Sequence, residues 1–262
     1  MERMKLTIDG NIAVLAFNHQ EVLNALSAEL LADFSQALDK IENPATGVRC
    51  LVLTGEGRAF CAGANLQSGN MGKKEGQADT GAGLETMYHP ILRRLRNLHC
   101  PIITAVNGAA AGAGMSFAVM GDLILCARSA YFMQAFRRIG LVPDCGSTWL
   151  LPRAIGRARA LELSLLGERL PAEKALEWGL VNRVYDDAEL MGETMKLAND
   201  LASGPTVALG LIRKLYWEAT DNSFEEQLDL ERQSQRVAGR AEDFVEGVQA
   251  FLQKRPAQFK GR

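Results

Sequence analysis

Three histidines in 262 residues, His19, His89 and His99, are too few and too scattered for a metal centre of the usual kind. None stands at helical spacing from a second ligand, so no metal is expected. Disulfide chemistry is equally thin. The five cysteines (Cys50, Cys61, Cys100, Cys126, Cys145) are odd in number and contain no C-x-x-C pair, which is the usage of reduced cytosolic thiols. No apolar run approaches the roughly twenty residues of a membrane span. The opening residues lack the pattern of a secretory leader, so a cytoplasmic protein is expected, with no membrane partner. Neither sign of charge dominates: 29 basic and 31 acidic side chains leave a net charge of −2. That balance provides no long-range field for nucleic acid or an anionic surface.

What remains is a chain with 47% hydrophobic residues, enough for a large core. Lys5 to Ile8 and Ile12 to Phe17 flank Asp9-Gly10-Asn11 and predict a hairpin. Leu31, Phe34, Leu38 and Ile41 share one helical stripe behind Ser27, a residue suited to an N-cap. Short apolar runs at Cys50–Leu53, Ile102–Val106 and Leu123–Cys126 read as strands, with helices at Met87–Leu98 and between Gly114 and Met120. This alternation predicts an α/β chain with largely parallel pairing. From Pro171 onward the pattern becomes helical. Pro205 sits as a first-turn proline before the stripe Val207, Leu211, Leu215, and Phe244, Val248 and Phe251 mark a last amphipathic helix. Gln67 to Gly83 is too polar to pack and reads as a mobile loop, either an inert excursion or a substrate lid.

Two glycine-rich segments about fifty residues apart carry the strongest signal. They are Phe60-Cys61-Ala62-Gly63-Ala64-Asn65-Leu66 and Asn107-Gly108-Ala109-Ala110-Ala111-Gly112-Ala113-Gly114, each following a strand-like run. Small residues at such turns let a ligand approach the backbone and leave N–H groups free to meet it. Either segment alone reads more readily as a tight turn or a place of close helix packing. The pair, in this order and spacing, resembles the enoyl-CoA hydratase/isomerase (crotonase) family, which polarises acyl-CoA thioesters. Val22-Leu23-Asn24-Ala25-Leu26 is similar to its first coenzyme-A loop, and Glu246-Gly247, Ala250-Phe251, Lys254-Arg255 and Phe259 to its usual end.

The resemblance implies a spiral of β-β-α repeats over residues 1–203. A helical C-terminal region over 204–262 would build homotrimers and hexamers. It implies an acyl-CoA thioester as substrate, with coenzyme A entering as part of it and no separate cofactor. It also implies the N–H groups of Ala64 and Ala113 as oxyanion donors. Substrate contacts are then expected from Leu23, Ala25, Ala62, Ala64, Asn65, Leu66, Ala113, Phe136 and Leu141. Lys260, with Lys254 and Arg255, is expected to meet coenzyme-A phosphates from a neighbouring subunit.

The family's hydratases use two glutamates, and Ser116 and Phe136 stand at the matching positions. Phenylalanine can neither activate water nor deliver a proton, and a serine hydroxyl without a partner is a poor base. One carboxylate remains nearby, Asp144 in Val142-Pro143-Asp144-Cys145-Gly146. A single carboxylate suffices to move a proton between two carbons, the chemistry of the family's isomerases. On spacing alone Asp144 reads equally as the cap of a helix starting near Gly146. Ile139 to Arg153, Asp229-Leu230-Glu231-Arg232 and Ala238-Gly239-Arg240 narrow the resemblance to isomerases of phenylacetate breakdown that turn a ring epoxide into an oxepin. The expectation is therefore an isomerase of phenylacetate or fatty-acid catabolism. A hydratase, or a non-catalytic acyl-CoA or RNA-binding member, is the alternative.

Other polar residues read more plainly. His89 matches a histidine of a dehalogenase branch, but a surface or hydrogen-bond-satisfied histidine is the simpler reading. Cys145 reads as structural, Trp149 as core or interface, and Arg93, Arg94 and Arg96 as a solvated or interfacial face.

Overall fold

The computed structural model describes residues 1–66 and 79–262. Most of the segment expected to be a mobile loop, 67–78, lies outside the described residues. The chain opens with an antiparallel hairpin, β1 (Met4–Asp9) and β2 (Ile12–Phe17), in which Met4 faces Phe17 and Asp9 faces Ile12. Helix α1 (Ala28–Glu42) follows, with the Ser27 hydroxyl accepting from Leu30 N–H at 3.2 Å, as the N-cap reading predicted.

Strands then come in pairs, one long and one short: β3 (Cys50–Gly55) with β4 (Ala59–Cys61), and β5 (Ile102–Val106) with β6 (Ala109–Ala111). The third pair is β7 (Leu123–Ala127) with β8 (Tyr131–Met133). After the first pair comes α2 (His89–Arg96), entered through a π-turn at Leu84–Tyr88, and after the second comes α3 (Ala113–Ala118). The third leads through a 3-10 turn, Ala135–Ile139, into α4 (Ser147–Ile155) and α5 (Arg157–Leu166). Strand β9 (Leu170–Pro171), α6 (Ala172–Trp178) and β10 (Arg183–Tyr185) precede α7 (Leu190–Ser203), α8 (Thr206–Glu218), α9 (Phe224–Ala238) and α10 (Glu242–Gln253).

The long strands form one sheet in the order β1-β2-β3-β5-β7-β10, parallel from β2 onward. The short strands form a second sheet, β4-β6-β8-β9, with only β8 and β9 antiparallel. Leu51, Val52, Leu53, Ile103, Ala105 and Val106 are fully buried, which is why these strands read as unbroken apolar runs.

Between sheet and helices, Phe17 meets Phe34, Phe60 and Phe117 edge-on with ring centroids 5.3–6.1 Å apart. Burying a ring of this size contributes about 1.5–3 kcal/mol. Phe117 belongs to α3, so this cluster fixes the helix that Ala113 begins.

Several expectations need correction. The second glycine segment contributes a strand, β6, because its alanines are small enough to lie between β4 and β8. The helix expected from Met87 begins earlier, in the π-turn. The C-terminal portion is interrupted by β10, which completes the main sheet beside β7. Pro205 stands at the N-cap of α8 rather than within its first turn.

Candidate active site

The first loop and the first glycine turn are knitted together by backbone bonds. Leu23 and Asn24 both adopt left-handed conformations, with φ of 56° and 59°. Asparagine tolerates this because its short amide bonds locally. Here the buried Asn24 amide accepts from His19 N–H at 2.8 Å and donates to the carbonyls of Glu56 at 2.9 Å and Ala59 at 2.7 Å. Held this way, Leu23 O accepts from Ala62 N–H at 3.0 Å. Leu26 N–H donates to Gly63 O at 2.7 Å, and Leu26 O accepts from Asn65 N–H at 2.8 Å.

This pairing has a geometric consequence. Leu26 and Ala64 form a parallel bridge in which Leu26 supplies both the donor and the acceptor. The N–H of Ala64 therefore points to the opposite side, and it has no hydrogen bond among the described residues.

The second turn lies directly against the first. Gly63 has φ of 96°, and a β-carbon there would come 2.8 Å from Ala111 O and 3.6 Å from Ala113 N. A β-carbon on Gly114 would lie 2.1 Å from Cys61 O, so only glycine permits this approach. Gly112, at φ 53° and ψ −129°, turns the chain into α3 with its own N–H held by Met133 O at 2.9 Å. Ala113 is the first residue of the helix, where an N–H has no intrahelical acceptor. It has none elsewhere among the described residues.

Asp144 is tied to the same helix. One turn beyond Ala113, the buried Ser116 hydroxyl donates to the Asp144 carbonyl at 3.1 Å. Ser147 donates to that carbonyl from its N–H at 3.1 Å and its hydroxyl at 2.9 Å. The cap reading of Asp144 fails: α4 begins behind Gly146 without a side-chain cap, and it is the Asp144 carbonyl that meets Ser147. Its carboxylate oxygen Oδ1 is buried with no hydrogen-bond partner among the described residues. Burial pushes the Asp144 carboxyl above the usual carboxylate range, opposed by a hydrogen bond from the Cys145 thiol and by the charge of His89. Cys145 is itself buried at a left-handed φ of 51°, and burial raises its thiol, so it stays protonated as a structural residue.

Phe136 is buried from the 3-10 turn, with its Cζ 3.9 Å from where a β-carbon on Gly112 would stand. Leu141 N–H donates to Phe136 O at 3.1 Å, while its side chain stays 40% exposed. Leu23, Ala25, Ala62, Ala64, Asn65, Leu66, Ala113, Phe136, Leu141 and Asp144 are thus linked through one set of adjoining turns.

Lys260 is not among them. The C-terminal tail folds back onto Asp243, which accepts from Lys260 N–H at 2.6 Å and Gly261 N–H at 2.8 Å. This leaves Lys260 in a cleft with Gly10 and Asn11, at the end of the sheet where β2 and β3 begin. The turns follow the other end of those strands, so Lys260 stands apart from them in the single chain. Arg255 is held by Glu246 at 2.6 Å.

Sequence reasoning missed Tyr88, which is only 9% exposed and lies within the electrostatic reach of Asp144, Cys145 and Cys61. Its one sequence signal was its place beside His89. His89 is half-buried, and its charge acts on the Asp144 carboxyl. Of the arginine face, Arg94 is bound into α1 by Asp39 at 2.8 Å and Glu42 at 2.9 Å. Trp149 stacks on Trp217, with centroids 5.3 Å apart. Two mainly apolar clefts among the described residues lie elsewhere, one of about 680 Å³ between α8 and α9 and one of about 440 Å³ against α8 and α10. Their position says where helices remain uncovered, not where protons move.

Facing glycine turns on a doubled β-β-α spiral define an acyl-CoA enzyme of one kind, and the chain belongs to the enoyl-CoA hydratase/isomerase family, whose pattern matches residues 7–262. The fold is shared with the crystal structure of an enoyl-CoA hydratase from Polaromonas sp. JS666, at a TM-score of 0.91 and 36% identity, covering 98% of this chain and 99% of that one. Among curated relatives, the chain is 47% identical to the 1,2-epoxyphenylacetyl-CoA isomerase of Escherichia coli K12, over the full length of both. It is 41% identical to a Rhodobacter capsulatus protein described as "Probable enoyl-CoA hydratase", over 99% of this chain and 98% of the relative. No described helix is long and apolar enough to cross a membrane.

Proposed function

We propose that the protein is an acyl-CoA isomerase working through a thioester enolate. One observation carries the reading: Asp144, tied to α3 through its backbone carbonyl, keeps a buried carboxylate oxygen without a partner among the described residues. In the proposed reaction Asp144 takes a proton from the carbon α to the thioester. The electron pair moves onto the thioester oxygen, held by the N–H groups of Ala64 and Ala113, and the same carboxyl returns the proton to a conjugated carbon. Two such donors in a dry site are typically worth about 3 kcal/mol each. No redox partner enters, since the product is an isomer.

The substrate we favour is 1,2-epoxyphenylacetyl-CoA, converted to oxepin-CoA. The 47% likeness over the whole chain supports it, as does the Phe136 ring beside Gly112, a flat apolar wall for an aryl group. A 3-enoyl-CoA would use the same proton path. Leu23, Ala25, Ala62, Asn65 and Leu66 would line the coenzyme-A and thioester side, and Leu141 the acyl side. Assembly as a homotrimer, or a hexamer of two trimers, would use the region 204–262 and bring Lys260 to a neighbour's coenzyme A. Phe244, Phe251 and Tyr216 support this, being 55%, 82% and 78% exposed in the single chain.

The decisive assay is turnover of 1,2-epoxyphenylacetyl-CoA and a 3-enoyl-CoA by the purified protein, and inertness toward both defeats the reading. Hydration is the second reading, favoured by the Rhodobacter relative and opposed by Phe136 and by Ser116, whose hydroxyl is occupied by the Asp144 carbonyl. Crotonyl-CoA hydration is therefore expected to be weak, and a rate of about 10 per second or more would refute that expectation.

A pH dependence follows from the buried carboxylate. Asp144 acts as a base only when ionised, and burial raises its pKa. Activity should fall toward acid through a limb lying above the ordinary carboxylate value of about 4. A rate that stays flat down to that value would assign proton transfer to another group.

A further inference from the structure

The backbone carbonyl of Asp144 is met by three donors. The Ser116 hydroxyl reaches it at 3.1 Å, the Ser147 N–H at 3.1 Å and the Ser147 hydroxyl at 2.9 Å. Both serines are fully buried. The Ser147 bonds are local, made within one turn of chain. Ser116 comes from α3, 28 positions away, and is the long-range tie on this carbonyl.

Ser116 does not need Asp144 for its own satisfaction. A serine inside a helix can bond the carbonyl four residues back, and Gly112 O lies 3.5 Å from the hydroxyl. The Asp144 carbonyl is the closer acceptor, so the bond leaves the helix and joins two segments.

The segment it holds is strained. Cys145 and Gly146, directly after Asp144, both lie in the left-handed region, at φ of 51° and 81°. For a residue with a β-carbon that conformation costs about 1–2 kcal/mol, and it persists only where the surroundings over-determine it. The bonds on the Asp144 carbonyl supply that constraint. The carbonyl carbon is bonded to the Cα that carries the side chain, so fixing its oxygen fixes ψ of Asp144. Only χ1 and χ2 then remain to aim the carboxylate, whose Oδ1 is buried without a partner among the described residues.

We propose that Ser116 is a positioning residue for proton transfer: by tying the Asp144 carbonyl to α3, the helix that Ala113 begins, it fixes where the carboxylate stands and raises kcat without adding substrate affinity. This deepens the isomerase reading and rests on it for the identity of the base.

The test uses Ser116→Ala, which removes one buried oxygen, introduces a strong helix former and leaves both Ser147 bonds in place. In the folded variant, kcat for 1,2-epoxyphenylacetyl-CoA should fall by about tenfold, with KM within about twofold of wild type. The effect passes through the carboxylate, so the same substitution made in Asp144→Asn should lower the residual rate by less than about twofold. Equal losses in both backgrounds, a change confined to KM, or a kcat within about twofold of wild type overturns the proposal. Hydrogen exchange reads the tie without turnover: the Ser147 amide should exchange about fivefold faster in Ser116→Ala, the scale of one hydrogen bond. Unchanged exchange overturns the proposal as well. If wild type turns over neither this substrate nor a 3-enoyl-CoA, the isomerase reading fails, while exchange at Ser147 still decides whether Ser116 holds the Asp144 segment.

Discussion

Asp144→Asn is expected to lose roughly 10²–10⁴-fold in isomerisation rate while still folding and binding acyl-CoA. Asparagine keeps the volume of the side chain but cannot accept a proton at neutral pH. The main-chain bonds from Ser116 and Ser147 reach the Asp144 carbonyl, so the substitution leaves them in place. Stability should not suffer. The carboxyl pKa is raised in the folded state, so the folded protein binds its proton more tightly than the unfolded chain does. Stability from this group therefore declines as pH rises through the shifted range, and a neutral amide removes that loss at pH 7. The variant should melt at or slightly above wild type. The measurement pairs turnover of 1,2-epoxyphenylacetyl-CoA with solvent-deuterium exchange at the α carbon. Unchanged turnover and exchange would leave Asp144 without a chemical role.

Ala113→Pro should remove one oxyanion donor and reduce turnover by roughly 10²–10³-fold. The position is favourable for this experiment because Ala113 is the first residue of α3, where proline is well accepted. Gly112, at φ 53° and ψ −129°, has the mirror image of an extended conformation, the kind of backbone a following proline requires. The helix should therefore persist, anchored by Phe117 in the aromatic cluster. Ala64→Gly serves as the control: it retains the N–H and should be mild. A folded proline variant with wild-type kcat would exclude Ala113 as a donor.

The long strands were legible because they are buried on both faces and appear as unbroken apolar runs. Helix α1 was legible from its stripe and its serine cap. The short strands were not. β6 is three alanines, and nothing in Ala109-Ala110-Ala111 distinguishes a strand between β4 and β8 from a loop. β9 and β10, of two and three residues, are likewise held by their neighbours rather than by local preference. The apolar stripe of α10 was correctly periodic, yet Phe244 and Phe251 face outward from the single chain because periodicity does not say what a face will cover.

By itself the sequence determined the family and the two glycine-rich turns, since residue identity at positions 63, 112 and 114 is a local property. It left Asp144 divided between helix cap and base, because both uses require the same residue at the same spacing. Tertiary structure removed the cap. Ser116, from a different element, binds the Asp144 carbonyl, the helix behind it starts without a side-chain cap, and packing leaves Oδ1 buried and unpartnered among the described residues. Burial belongs to the folded chain, and only there does it raise the Asp144 carboxyl.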